Sequence, residues 1–89
     1  MTKYIVKITA TAKENNPNFA GEIQIWYHGR GDAFWKVDER KEPFLQEWLR
    51  HFALDSGYNS ECDAKRNYSY RHHDEPYWDN KAEIIKITV

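Results

Sequence analysis

Two apolar alternations converge on Gly29-Arg30-Gly31, and nothing else in the chain restricts its fold as strongly. Side chains alternate along a strand with a period of two, so Ile23, Ile25 and Tyr27 share one face and Gln24, Trp26 and His28 the other. Beyond the glycines, Ala33, Trp35 and Val37 alternate with Phe34 and Lys36. A three-residue loop with glycine in the left-handed conformation closes such a hairpin through a type I turn and a G1 bulge. That loop sets His28 against Asp32, Tyr27 against Ala33, Ile25 against Trp35 and Ile23 against Val37, which makes one face wholly apolar. It also puts Trp26 directly across from Phe34 on the outer face. A four-residue loop would set Lys36 and Asp38 beside the isoleucines and is rejected.

The two ends of the chain repeat the strand pattern. Tyr4, Val6, Ile8 and Ala10 alternate with Ile5, Lys7, Thr9 and Thr11, and Ile85, Ile87 and Val89 alternate with Ile84, Lys86 and Thr88, so both ends fit one sheet. Lys13 to Asn18 is a polar break rich in turn formers. Pro43 suits a first helical position, and Phe44, Leu45, Trp48, Leu49 and Phe52 then form an amphipathic stripe that Ser56-Gly57 ends. Ser60-Glu61-Cys62-Asp63 resembles a capping box with a short acid, which predicts a second helix from Glu61 to Tyr70 with Cys62, Ala64 and Tyr68 toward the core. A break follows at His72 to Pro76.

These elements predict a single α+β domain over residues 1–89. It has two layers: an about four-stranded, largely antiparallel sheet, in chain order β-β-β-α-α-β, packed on one or two helices. The first helix is expected over an inner row of Tyr4, Val6, Ile8, Ile23, Ile25, Trp35, Ile85 and Ile87. With helices on one side only, Ile5, Lys7, Thr9, Gln24, Trp26, Phe34, Lys36, Ile84, Lys86 and Thr88 face outward.

Composition narrows the function classes. Thirteen Lys and Arg against fourteen Asp and Glu give a net charge of −1, which argues against a nucleic-acid coat, a polyanion mimic or a polybasic membrane binder. Four Trp, six Tyr and four Phe among 89 residues must supply much of the core of so small a domain. The lone Cys62 excludes an intramolecular disulfide, and the lysine-interrupted N-terminus has no signal-peptide run, so a cytoplasmic, non-membrane protein is expected.

No catalytic residue, metal site or cofactor is expected. Cys62 lacks any surrounding nucleophile signature and reads as a buried, inert thiol. Adjacent His72, His73, Asp74 and Glu75 diverge in most backbone conformations, even with His28 or His51 at hand. Arg30-Gly31-Asp32 matches an adhesion tripeptide, yet turn chemistry accounts for it and leaves Arg30 as an exposed contact residue. Lys65, Arg66 and Arg71, interleaved with Tyr68 and Tyr70, fit either a solvated helix end or a basic grip diluted by neighbouring acids.

The outer face therefore carries the functional expectation. Exposed Trp and Phe anchor protein interfaces, and aromatics among lysines also suit single-stranded nucleic acid. The opening Tyr4-Ile5-Val6, the Trp26 and Trp35 hairpin, the Phe44/Trp48/Phe52 helix and the ending from Tyr77-Trp78 to Ile87 together resemble, in size and style, small phage or mobile-element accessory proteins such as anti-CRISPR inhibitors. That resemblance implies a stoichiometric binder of a host or phage protein complex, a CRISPR-Cas effector for example, in the cytoplasm of a host bacterium. The expected contact residues are Trp26, Arg30, Phe34, Lys36, Tyr70, Arg71 and Tyr77, on a monomer or homodimer. The alternative is a nucleic-acid-binding module that adds Lys7, Lys36 and Lys86 to the same aromatics.

Overall fold

The computed structural model describes residues 1–71 and 75–89, with side chains given through Asn67 and again from Glu75. Strands β1 (Thr2–Ala12), β2 (Ile23–His28) and β3 (Phe34–Val37) precede helices α1 (Leu45–Ser56) and α2 (Glu61–Arg71), and β4 (Trp78–Thr88) ends the chain. The α+β class and the order β-β-β-α-α-β are those expected. The four strands form one antiparallel sheet in the order β3-β2-β1-β4. No helix among the described residues is long and apolar enough to cross a membrane.

Strand β1 is central, and its neighbours decide which way its side chains point. It pairs with β4 from Thr2↔Thr88 to Ala12↔Trp78 and with β2 from Val6↔His28 to Thr11↔Ile23. Cross-strand partners share a face, so Ile5 and Lys7 lie with Tyr27, Ile85 and Ile87, whereas Tyr4, Val6 and Ile8 lie with Trp26, His28 and Ile84. The expected inner row is thus corrected: it joins residues from both faces. Tyr4, Val6, Ile8 and Ala10 make an apolar row and Lys3, Ile5, Lys7, Thr9 and Thr11 a mostly polar one, yet helices cover both faces, so the alternation of this strand does not reveal that Ile5 meets α1.

The two helices pack on opposite faces. Leu49 and Ala53 of α1 close on Ile5, Tyr27, Val37 and Ile87, with Ile25, Trp35, Phe52 and Ile85 around them. Ala64 of α2 closes on Val6 and Tyr58, bordered by Tyr4, Ile8, Ala82 and Ile84. Helix α1 and the sheet make the expected pair of layers, and α2 adds cover on the far side, against β1 and β4. Among the described residues, the far face is therefore open beside β2 and β3 rather than along its whole width.

The hairpin register also differs from the expected one. Ile25 faces Val37, Trp26 faces Lys36, Tyr27 faces Trp35 and His28 faces Phe34. The connection runs from Gly29 to Ala33, closed by Gly29 N–H to the Ala33 carbonyl at 2.9 Å, with Gly31 and Asp32 both left-handed at φ 62° and 63°. The apolar face survives this slip because the slip preserves the alternation. Its cause is tertiary: the Arg30 N–H donates to the Ser56 carbonyl at 2.7 Å, which ties the tip to the end of α1.

Helix α1 starts later than expected, with Phe44 as its N-cap and Pro43 in the turn before it. Its apolar stripe is also rotated. Leu49 and Ala53 are buried, but Phe44 and Trp48 are 62% and 52% exposed, because the stripe is wider than the sheet surface that receives it. The helix ends as expected, with Gly57 N–H bonded to the Ala53 carbonyl. Ser60 Oγ accepts the Asp63 N–H at 3.1 Å at the start of α2. Cys62 is exposed, which corrects its reading as a buried thiol: it turns away from the stripe that carries Ala64.

Candidate functional site: an aromatic trough on the sheet

The part of the sheet that the described residues of α2 leave uncovered is aromatic. Trp26 and Phe34 sit on adjacent strands with ring centroids 5.7 Å apart, and His28 lies 6.2 Å from Phe34. Their contact is diagonal, since Lys36 stands directly opposite Trp26 and holds its ammonium 5.8 Å from that ring. The Trp26 indole N–H donates to Gln24 Oε1 at 3.3 Å, so the ring is oriented from its own strand. Trp26 is half-buried and Phe34 is 62% exposed.

A second aromatic pair faces the first across β1. Phe19 and Trp78 have ring centroids 5.8 Å apart. Between the pairs lies a concavity of about 470 Å³, floored by Ile8 and Ala10 and bordered by Phe19, Trp26, His28 and Trp78. Ala10 lies across from Gln24 on one side and Asn80 on the other, and its small side chain leaves the trough its depth. Phe19 reaches the site from an irregular loop because Asn16 folds that loop tightly. Asn16 is buried, accepts the N–H groups of Asn18 and Phe19 at 3.0 and 2.9 Å, and donates to the Tyr77 carbonyl at 3.1 Å.

Of the expected contact residues, Trp26, Phe34 and Lys36 come together here. Tyr77 is exposed in the bend just before β4, next to Trp78, with its carbonyl also accepting Lys13 N–H at 2.9 Å. Arg30 stands apart at the hairpin tip, where its guanidinium donates to the Asp55 carbonyl at 3.3 Å and secures the C-terminal end of α1. The side chains of Tyr70 and Arg71 lie outside the described residues. Lys7 is on the other face, 2.9 Å from Glu39, which corrects its placement beside Trp26. Lys86 shares the trough's face but stands across from Tyr4, toward the other end of β4.

Phe19 and Trp78 are functional candidates that the strand and helix patterns did not single out. Trp78 carries a legible signal, because Trp78, Asn80, Ala82 and Ile84 continue the β4 alternation backward. Phe19 carries none, since it follows a polar turn. Phe44, Trp48 and His51 form a smaller exposed cluster on the outer side of α1.

Tyr27 and Glu39, whose pKa values are displaced, lie away from the trough. On the α1 face, the Tyr27 hydroxyl donates to Glu39 Oε1 at 2.6 Å. Burial, then the bond to Glu39, pushes the Tyr27 phenol well above its ordinary value. The bond from Tyr27, then that from Lys7, holds Glu39 below the usual carboxylate range. This trio fastens the connector after β3 to the sheet. Among the described residues, no group of three His, Cys, Asp or Glu side chains is placed to hold a metal ion.

No protein-family model matches the chain, and neither does any curated protein or solved structure.

Proposed function

We propose that this chain is a noncatalytic protein-binding module that occludes a partner's surface with the Trp26/Phe34 side of the trough. The observation that supports it most is the exposure of Phe34 against Trp26 on a part of the sheet that the described residues of α2 leave uncovered. Large rings give much contact area for little conformational entropy, and interface hot spots are rich in them. The trough behind them combines Ile8 and Ala10 with the polar Gln24, Glu75 and Asn80, a lining that suits a protruding side chain with both apolar and polar atoms.

Following the resemblance to phage and mobile-element accessory proteins, we extend the proposal to an inhibitor acting in a bacterial cytoplasm on a host complex such as a CRISPR-Cas effector. Simple occlusion needs no catalytic group. The nucleic-acid reading has less support, because Lys7 is engaged by Glu39 on the opposite face and Lys86 is not grouped with Lys36. Affinity capture from bacterial lysate, with and without nuclease and at low and high salt, tests the proposal. A nuclease-resistant, stoichiometric protein partner that Trp26→Ala and Phe34→Ala lose is the expected result. Binding that disappears with nuclease or moderate salt would overturn it in favour of nucleic acid.

A further inference from the structure

Strand β4 is one edge of the sheet, and it is as long as the central strand beside it. Tyr77 and Val89 bond their backbones to Lys13 and Met1, so odd-numbered residues of β4 turn their peptide groups toward β1. Even-numbered residues, Trp78 to Thr88, then present N–H and C=O groups to the outer edge. Among the described residues, no backbone hydrogen bond reaches that outer row. Such an edge is a template for another strand unless charge or shape prevents it.

Its charges select the partner. Asp79, Lys81 and Glu83 are exposed on one face of β4. We propose that this edge pairs antiparallel with the same edge of a second copy, about a two-fold axis at Ala82. That register sets Lys81 of each copy against Glu83 of the other, and aligns Trp78 to Lys86 along both strands. The Lys81 and Glu83 pairs fall at non-hydrogen-bonded positions, where facing side chains approach most closely.

Neighbouring registers lose either the charge match or the length of the overlap. An axis at Lys81 sets Lys81 against itself and Asp79 against Glu83, and an axis at Glu83 sets two Glu83 carboxylates face to face. An axis at Asn80 pairs Lys81 with Asp79 but shortens the overlap to Trp78 to Ala82. At Ala82 the two small side chains meet on the axis, and Trp78 of each copy lies across from Lys86 of the other. The product is an eight-stranded sheet in the order β3-β2-β1-β4-β4-β1-β2-β3. With strands about 4.8 Å apart, the two Trp26 rings stand at least about 24 Å from one another, so the Trp26 and Phe34 side of each trough remains available.

Sedimentation equilibrium of the full chain, read together with charge-swap variants, tests the pairing. The unmodified protein is expected to dimerise. Lys81→Glu and Glu83→Lys are each expected to weaken the dimer by roughly tenfold or more, since each sets two pairs of like charges in contact. The double variant K81E/E83K recreates both opposite-charge pairs and is expected to restore it. Ala82→Pro removes an outward N–H that β1 does not use, and is expected to lose the dimer while circular dichroism shows the fold intact. A monomer at every concentration would overturn the proposal, as would a dimer indifferent to the charge swaps. Neither result bears on the Trp26 surface, whose partner capture is measured separately.

Discussion

Tyr58 takes the place in the sheet that β2 vacates. Its N–H donates to the Tyr4 carbonyl at 2.7 Å, and the Tyr4 N–H donates back to the Tyr58 carbonyl at 2.9 Å, beyond the point where β2 ends at His28. Its hydroxyl reaches the Gly29 carbonyl at 3.0 Å, so it also holds the end of β2. The segment between the helices thus passes through the sheet as a single rung, and this passage lets α1 and α2 occupy opposite faces. The trough owes its open side to that arrangement, since α2 leaves the sheet plane beside β1 and β4 rather than β2 and β3.

The passage depends on Gly57. Its φ of −72° is open to any residue, so the demand is for space: a Cβ there would stand 2.3 Å from the Ala53 carbonyl oxygen and 2.8 Å from the Lys3 Cβ. Gly57→Ala is expected to destabilise the fold by about 1–3 kcal/mol, the range for forcing an extra carbon into a packed site. Urea unfolding of the two proteins measures it, and equal midpoints would show that the crossing can widen.

The Tyr27, Glu39 and Lys7 trio predicts a pH signature at both ends of the scale. Glu39 is depressed in the folded state, so its contribution is present above its ordinary 4.5 and is lost as pH falls through the folded value. Tyr27 is raised, so its contribution is present below its ordinary 10.0 and is lost as pH rises beyond that. Tyr27→Phe is expected to flatten the alkaline limb and to lower stability at neutral pH by about 1.5–3 kcal/mol, as for a hydrogen bond to a charged group. Thermal melts from pH 3 to 11 give both limbs, and an unchanged alkaline limb in the variant would contradict the assignment.

Much of the fold was legible because period-two and helical patterns report local geometry. The helix stop at Gly57, the Ser60 cap and the apolar hairpin face all follow from near neighbours in the chain. What was not legible depends on distant contacts. The face of β1 is set by its partners, since its mostly polar row buries Ile5 under α1 while its apolar row meets α2, and the hairpin slips because Ser56 holds Arg30. Trp26 and Phe34 could be placed together from alternation alone, as that survives the slip. Phe19 could not, because a loop residue's position is fixed by Asn16 and Tyr77 rather than by any period.

Asn16 accordingly links stability to the shape of the site. Asn16→Ala removes the acceptor of two backbone N–H groups and a donor to the Tyr77 carbonyl, and is expected to cost about 2 kcal/mol. It should also loosen Phe19 from Trp78 and raise the solvent exposure of the trough. Hydrogen exchange at Asn18 and Phe19 reads this directly. Protection equal to the parent's at those amides would mean that the loop has another anchor.

Trp26 and Phe34 touch one another yet differ in what they do for the fold. Phe34 is mostly exposed, so Phe34→Ala should give up little beyond its ring contacts with Trp26 and His28, about 0.5–1.5 kcal/mol each. Trp26 also covers Ile8 and the trough floor and carries Lys36 over its ring, so Trp26→Ala should cost roughly 2–3 kcal/mol through lost apolar burial. The double variant should fall short of the sum by about the ring-pair energy, since the contact is removed only once. Denaturant unfolding of the four proteins closes the cycle. Additive losses would show that the rings do not support one another, and then Phe34 would be held out toward a partner by its own strand alone.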